Sequence, residues 1–380
     1  MTTQARMRIG GAPAKPLGML GWAVYLGVSW TWCIGMFLPV LLVRDWGVWA
    51  FLVFALPNVV GAAAMPFVVR GADASRAMVA AHGGTMVSFS RVTIVFQAFF
   101  AGWMLPQLLG WWTIGIYPLL LGVLIYAVRR DREFAKTVWG ALAVSVGIAV
   151  WLGVRGDLSL PAAKGIEGAA LLAPVFVLGF LLCPYLDLTF HHALQRAEDE
   201  KQGRSRGAFV LGFGVVFAAM ILLTLLYAGI LLGGGSQAAK YLIGAHLAVQ
   251  LVVTILVHQV RAGVTSGQRG GLPLMPMLVG GFGTGLVCVF LPELWGWAVG
   301  EYVYRGFLVF YGLVFPVYVL MRILPPVPAT WRLVGGTVLT ALPLYAAGFY
   351  TYHLTYLLAG VGVVVMGWTL SGARRVRAQG

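Results

Sequence analysis

Residues 25–42 read YLGVSWTWCIGMFLPVLL, and residues 177–192 read VLGFLLCPYLDLTFHH. Both are apolar runs interrupted partway. The first is broken by a small, polar and aromatic cluster, Ser29, Trp30, Thr31, Trp32, Cys33 and Gly35, with Pro39 after it. The second is broken by Cys183 and Pro184, followed by Tyr185, Asp187 and Thr189. In lipid a continuous helix satisfies its own backbone. A break frees N–H and C=O groups, which are tolerated only where they are buried in protein or line a cavity. Two broken runs in one apolar chain therefore mark an interior site before anything else is known.

The rest of the sequence supplies the solvent. Of 380 residues, 60% are hydrophobic and 10% charged, against about 25% charged in soluble domains. Apolar runs follow one another at about the 20-residue length that a spanning helix needs. Twelve are expected, at roughly 18–43, 47–69, 91–109, 111–129, 137–154, 168–192, 207–233, 239–260, 272–292, 301–322, 331–350 and 353–371. No soluble block separates them, so one transmembrane domain, 1–380, is expected. Its fold class is all-α, a polytopic helical bundle. Ten-residue alternation, the mark of a membrane barrel, is absent.

The formal net charge of +14 fits short basic loops better than nucleic acid binding. With the N-terminus inside, 21 of the 26 Lys and Arg residues fall on the inner side, and only Arg44, Arg155, Lys164, Lys240 and Arg305 fall outside. The positive-inside rule then puts both termini in the cytoplasm of a cell (inner) membrane protein. Arg6, Arg8 and Lys15 precede the first run, which is too long for a signal peptide and is read as a retained helix. Residues 70–90 and 193–206 are expected as the two longer inner loops.

Helices 1 and 6 correspond, and helices 2–5 and 7–10 follow them at similar offsets. Five is an odd number of crossings, so the second set enters from the opposite side. That arrangement is an inverted repeat, about 17–155 and 167–322, with trailing helices about 330–372. Interrupted helices in corresponding positions point to a midplane site in secondary transporters.

In this architecture the chain resembles the LeuT-type fold of the amino acid–polyamine–cation superfamily, closest to sodium:solute symporters. The stretch AHGGTMVSFSRVT (81–93) is similar to the basic loop leading those proteins into their third helix. The resemblance implies alternating access by a secondary transporter, with a solute between helices 1, 3, 6 and 8. It also implies sodium held by carbonyls of the first helix and two adjacent hydroxyl residues of the eighth. Here helix 8 offers only Thr254, beside Val253. The coupling ion, sodium or proton, stays open.

The polar residues inside the runs are the candidate site. Asp187 is the one carboxylate well within an apolar run, where burial costs at least about 2.5–3.5 kcal/mol. It either binds solute or protons, or caps the half-helix that restarts after Pro184. His191 lies four residues on and pairs with Asp187 if both face one way. His246, Gln250 and Thr254 recur every four residues as a polar stripe. Gln97, and Asn58 after Pro57, are further lining candidates, whereas His258 and Gln259 sit near the inner end and carry little. The expected substrate-binding set is Ser29, Trp30, Thr31, Trp32, Cys33, Gly35, Gln97, Cys183, Tyr185, Asp187, Thr189, His246 and Gln250, with Thr254 as an ion ligand. Glu301 and Arg305 read as a structural ion pair.

The three cysteines show no CxxC or Cys/His spacing, so no disulfide framework, metal site or cofactor is indicated. GxSxG and HExxH are absent, and an enzyme is not expected. Gly281 and Gly285 have GxxxG spacing, which reads as helix packing. The partners expected are the bilayer and a small-molecule solute. Two alternatives remain: a transporter-fold protein acting as a sensor or complex subunit, and an intramembrane enzyme.

Overall fold

The computed structural model describes residues 16–127, 131–266, 274–291, 293, 294, 296–325 and 327–379. Arg6, Arg8 and Lys15 of the basic N-terminus lie outside them. Fifteen α-helices carry almost all of the described chain. They are α1 (Gly18–Ser29), α2 (Cys33–Trp46), α3 (Val48–Val68), α4 (Ala72–Leu109), α5 (Thr113–Ala127), α6 (Asp131–Val154), α7 (Glu167–Leu182) and α8 (Leu188–Glu200). They continue as α9 (Arg204–Leu211), α10 (Ala218–Leu231), α11 (Gln237–Thr265), α12 (Leu274–Phe290), α13 (Val299–Tyr318), α14 (Trp331–Thr351) and α15 (Leu354–Gln379). Among the described residues there is no strand beyond one isolated bridge, Leu294 with Trp297.

Among the described residues nine spans are long and apolar enough to cross a bilayer, or ten when α1 and α2 count as one broken span. The runs expected at 111–129 and 272–292 fold as the shorter helices α5 and α12, of 15 and 17 residues. Within the described residues α5 falls short of the roughly 17–25 residues of a full crossing and α12 reaches only its lower end. Gly110 and Tyr352 each separate two helices in a positive-φ conformation, at 102° and 57°. For Tyr352 that conformation is uncommon. Its hydroxyl is held by Asp45 and Arg305, both at 2.6 Å.

Both expected loops are corrected. Residues 72–90 are the first half of the 38-residue α4. Residues 193–200 belong to α8, leaving 201–203 as the turn into α9. Polar composition was mistaken for loop. Ala72, Ala77, Met78 and Ala80 are good helix formers, and one face of this half packs on α8: Ser75 accepts a hydrogen bond from Gln195 at 2.9 Å.

α4 is the central post, packed along α11 and α12. Gly281 and Gly285 face its backbone. A Cβ at Gly281 would collide with the carbonyl of Val95, and one at Gly285 with the carbonyl of Phe99. The GxxxG pattern is therefore a close helix crossing. α3 packs on α7, α1 on α9, α2 on α10 and α14 on α15.

Side-chain contacts define two opposite ends of the bundle. At one, Glu200 accepts from the backbone N–H of Leu17 at 3.0 Å and from the Trp22 indole at 2.9 Å, and His82 meets the Tyr318 hydroxyl at 3.0 Å. At the other, Arg44, Asp45, Glu301, Arg305 and Tyr352 form one network. Its ion pairs include Arg44–Glu301 and Arg305–Glu301, both at 2.6 Å, and Arg305–Asp45 at 2.9 Å. The Arg305 guanidinium also lies 4.2 Å from the centroid of the Trp297 ring. The Glu301–Arg305 pair read from sequence is present, and it ties α2 and α13 to the α14–α15 junction.

Candidate functional site

The first break lies between Ser29 and Cys33. Trp32 is extended (φ −85°, ψ 177°), and α1 and α2 meet at 55°. Ser29, Trp30, Thr31, Trp32 and Cys33 are all buried. Most of the backbone groups freed here find partners. The N–H of Cys33 donates to Gln97 Oε1 at 3.3 Å, and its carbonyl accepts from the Tyr304 hydroxyl at 3.1 Å. The Trp32 indole donates to the carbonyl of Ser29 at 2.8 Å. Ser29 and Thr31 turn their hydroxyls back onto Leu26 and Gly27. The Trp30 indole donates to Asn58 Oδ1 at 2.7 Å, so Asn58 holds the break from α3.

The second break is a 3-10 turn, Cys183–Leu186, followed by extended Asp187. Asp187 Oδ1 accepts from the N–H of Thr189 at 2.7 Å, which makes Asp187 the N-cap of α8. The expected pairing of Asp187 with His191 is not made. His191 Nε2 lies 3.0 Å from the carbonyl of Tyr185, and Nδ1 lies 2.8 Å from Ser75 Oγ. A carbonyl only accepts, so Nε2 carries the proton and Nδ1 accepts from Ser75. His191 thus satisfies a carbonyl that the break exposed.

Asp187 instead faces His258 of α11. Its Oδ2 lies 3.9 Å from His258 Nε2, both side chains are fully buried, and neither atom has a hydrogen-bond partner among the described residues. His258 Nδ1 lies 3.2 Å from Ser90 Oγ on α4. Aromatic rings wall the pair. Trp32 lies 5.4 Å from the His258 ring and 6.0 Å from Tyr311, and Trp30 lies 4.8 Å from Phe190. Cys183 donates to the carbonyl of Tyr311 at 3.6 Å. The two breaks therefore meet across His258, Phe190 and Tyr311. A cavity beside the first break, lined by Trp30, Trp32, Gly35, Asn58, Phe180 and Tyr311, measures about 10 Å³. That volume holds about one water molecule, and Asp187 and His258 themselves are fully buried.

The stripe on α11 divides. Four residues overshoot one helical turn by about 40°, so His246 and His258, three such steps apart, point roughly 120° from each other. His246 Nδ1 lies 2.9 Å from Ser145 Oγ of α6, and Gln250 Nε2 donates to the same oxygen at 2.9 Å. Thr254 donates to the carbonyl of Gln250 at 3.0 Å. His246 and Gln250 are thus bonded to α6 rather than to the breaks. Ser145, Ser90, Phe89 and Tyr311 were missed because their partners lie on helices far away in sequence. His258 was underweighted, although it continues the same four-residue spacing.

Among the described residues no group of three His, Cys, Asp or Glu side chains has the arrangement of a metal site. The fold defines a class, an all-helical bundle with at least nine membrane-length apolar helices. Scans against protein-family models, curated proteins and solved structures return no match that would narrow it.

Proposed function

We propose that the chain is a secondary transporter that moves a small polar solute by alternating access around the two helix breaks. The observation that carries this reading is their meeting, with a fully buried carboxylate and imidazole between them. Half-helix ends that face each other across a closed polar centre are the usual construction of a midplane transport site. In this reading α5 and α12 complete twelve crossings, the first ten form a five-plus-five inverted repeat, and both termini are cytoplasmic. Helices 1, 3, 6 and 8 of that scheme, here α1–α2, α4, α7–α8 and α11, supply the lining. Thr254, with its hydroxyl donated to the carbonyl of Gln250 and no hydroxyl neighbour, is a poor sodium ligand. The Ser145–His246–Gln250 group is a clasp between helices rather than part of the solute path.

Cys33 tests the reading without a known solute, because it lies at the first break and is fully buried. With Cys183 and Cys288 changed to Ala, a membrane-impermeant maleimide should reach Cys33 from one face, and from the other face under a different solute or ion condition. Protection of Cys33 from both faces across a panel of cations, sugars and amino acids would rule out alternating access at this site. The same panel, read by melting temperature, identifies the ligand, because binding to the native state stabilises it.

A further inference from the structure

We infer that Asp187 and His258 form a one-proton site, and that loading this proton is the coupling event that lets the bundle change the face to which it opens. The inference rests on the transporter reading above and supplies its coupling ion.

Asp187 and His258 are both fully buried. The other titratable groups facing them are Cys183 on the turn and Tyr311 on α13, a thiol and a phenol that carry no charge at neutral pH. α4 contributes Phe89 and Ser90, neither ionisable. The α1–α2 break contributes Trp32. His191 on α8 is turned away onto Tyr185 and Ser75. Arg196 and Arg261 act on His192, one residue further along α8. Among the described residues the pair is therefore left with its own charge. With no shared proton it carries −1, and with one proton it is neutral, whether as a carboxylic acid beside an imidazole or as a carboxylate beside an imidazolium. A buried unpaired charge is strongly unfavourable and a balanced pair much less so. Proton occupancy thus changes the energy of the closed state more than any other single event at this centre.

Geometry favours a proton over a larger ion. The 3.9 Å separation is too long for a hydrogen bond, so gain or loss of the proton breaks no bond within the pair. Asp187 Oδ1 stays fixed by Thr189, and His258 Nδ1 by Ser90, so only Oδ2 and Nε2 are free to react. Both groups are fully buried beside the Trp32 and Phe89 rings, where a proton needs no cavity of its own. The step balances simply. Water from the open face gives up a proton and an O–H or N–H bond forms at the pair. That bond breaks when the other face opens, the proton returns to water there, and no electrons are exchanged.

The test uses the full-length protein in liposomes with two readouts. Infrared difference spectra between acid and alkaline pH should show one buried carboxyl that gains and loses a proton. Asp187→Asn should remove that signal. His258→Gln should lower its midpoint, because an amide cannot share the proton with the carboxylate. Cys33 labelling should also shift between faces with pH in the wild-type protein, and lose that dependence in Asp187→Asn. A carboxyl signal that survives Asp187→Asn overturns the proposal. So does Cys33 switching that is independent of pH, which would leave the transporter reading intact with another ion. A titrating pair without any Cys33 switching instead defeats the transporter reading itself, and coupling with it. Elution as a single folded species excludes misfolding as the cause of either loss.

Discussion

Glu200 shows how much one side chain holds at the end of the bundle that contains Leu17. Its carboxylate accepts from the backbone N–H groups of Leu17 and Gly18, from the Trp22 indole and from Arg204 at 2.7 Å. Burial raises this carboxyl, but Trp22, Arg204 and the two backbone donors lower it further, so it sits below the usual carboxylate range. A depressed acid contributes stability above its unfolded pKa and loses it as pH falls through the folded value. Glu200→Gln should therefore destabilise the protein by about 1.5–3 kcal/mol at neutral pH, the range for hydrogen bonds to a charged group. In melting curves the gap between variant and wild type should begin to narrow below about pH 4 and close only at lower pH, once the folded carboxyl is protonated. A gap independent of pH would mean that the side chain acts by packing alone. Asp187 is the contrasting residue. Its isolation in an apolar run was legible in the sequence, as was its capping of α8. Its partner was not, because His258 lies on a helix 71 positions later and only the packing of α11 against α8 brings them together.

Among the elements, α12 gives the sharpest comparison. Gly285 faces the carbonyl of Phe99, whereas Gly283, two residues away, faces open space. Gly283→Ala should leave the melting temperature unchanged or raise it, since alanine is favoured over glycine in a helix by about 1 kcal/mol. Gly285→Ala should lower stability by about 2–4 kcal/mol, because two backbones must separate to admit the methyl group. Equal effects of the two substitutions would refute the close crossing of α4 and α12. The spacing alone predicts a close packing face on this helix, without naming α4 as its partner. It did not predict α4 itself: residues 72–90 are polar enough to resemble a loop, and only their packing on α8 shows why they stay helical. The α11 stripe carries a similar lesson. A four-residue spacing marks one face only over short distances, because each step rotates the direction, so His246 and His258 serve different neighbours.

At the scale of the whole molecule, charge and contacts agree on two ends. Lys164 donates to the carbonyl of Arg44 at 2.6 Å, which places the α6–α7 connection beside the Arg44–Asp45–Glu301–Arg305–Tyr352 network. The turn at 201–203 lies at the opposite end, near Glu200 and Leu17. If the basic end is cytoplasmic, a phosphatase reporter inserted at Leu160 should be active outside the cell. One inserted at 201–203, or fused after Gly380, should be inactive, and a fluorescent protein fused after Gly380 should be bright. The reverse pattern would invert the proposed topology and the sides assigned to Cys33 labelling.

Composition settled the solvent, because a chain this apolar has nowhere to put its surface except lipid. Local chemistry at Trp30–Cys33 and at Cys183–Asp187 settled where two helices break, because proline, an extended tryptophan and a capping carboxylate act within a few residues. The tertiary structure decided what the breaks face. Which of α11's two histidines meets Asp187, and which of its polar residues meets Ser145, depends on how long helices rotate and cross. Those angles are set by close contacts such as Gly285 on Phe99, between residues far apart in the chain.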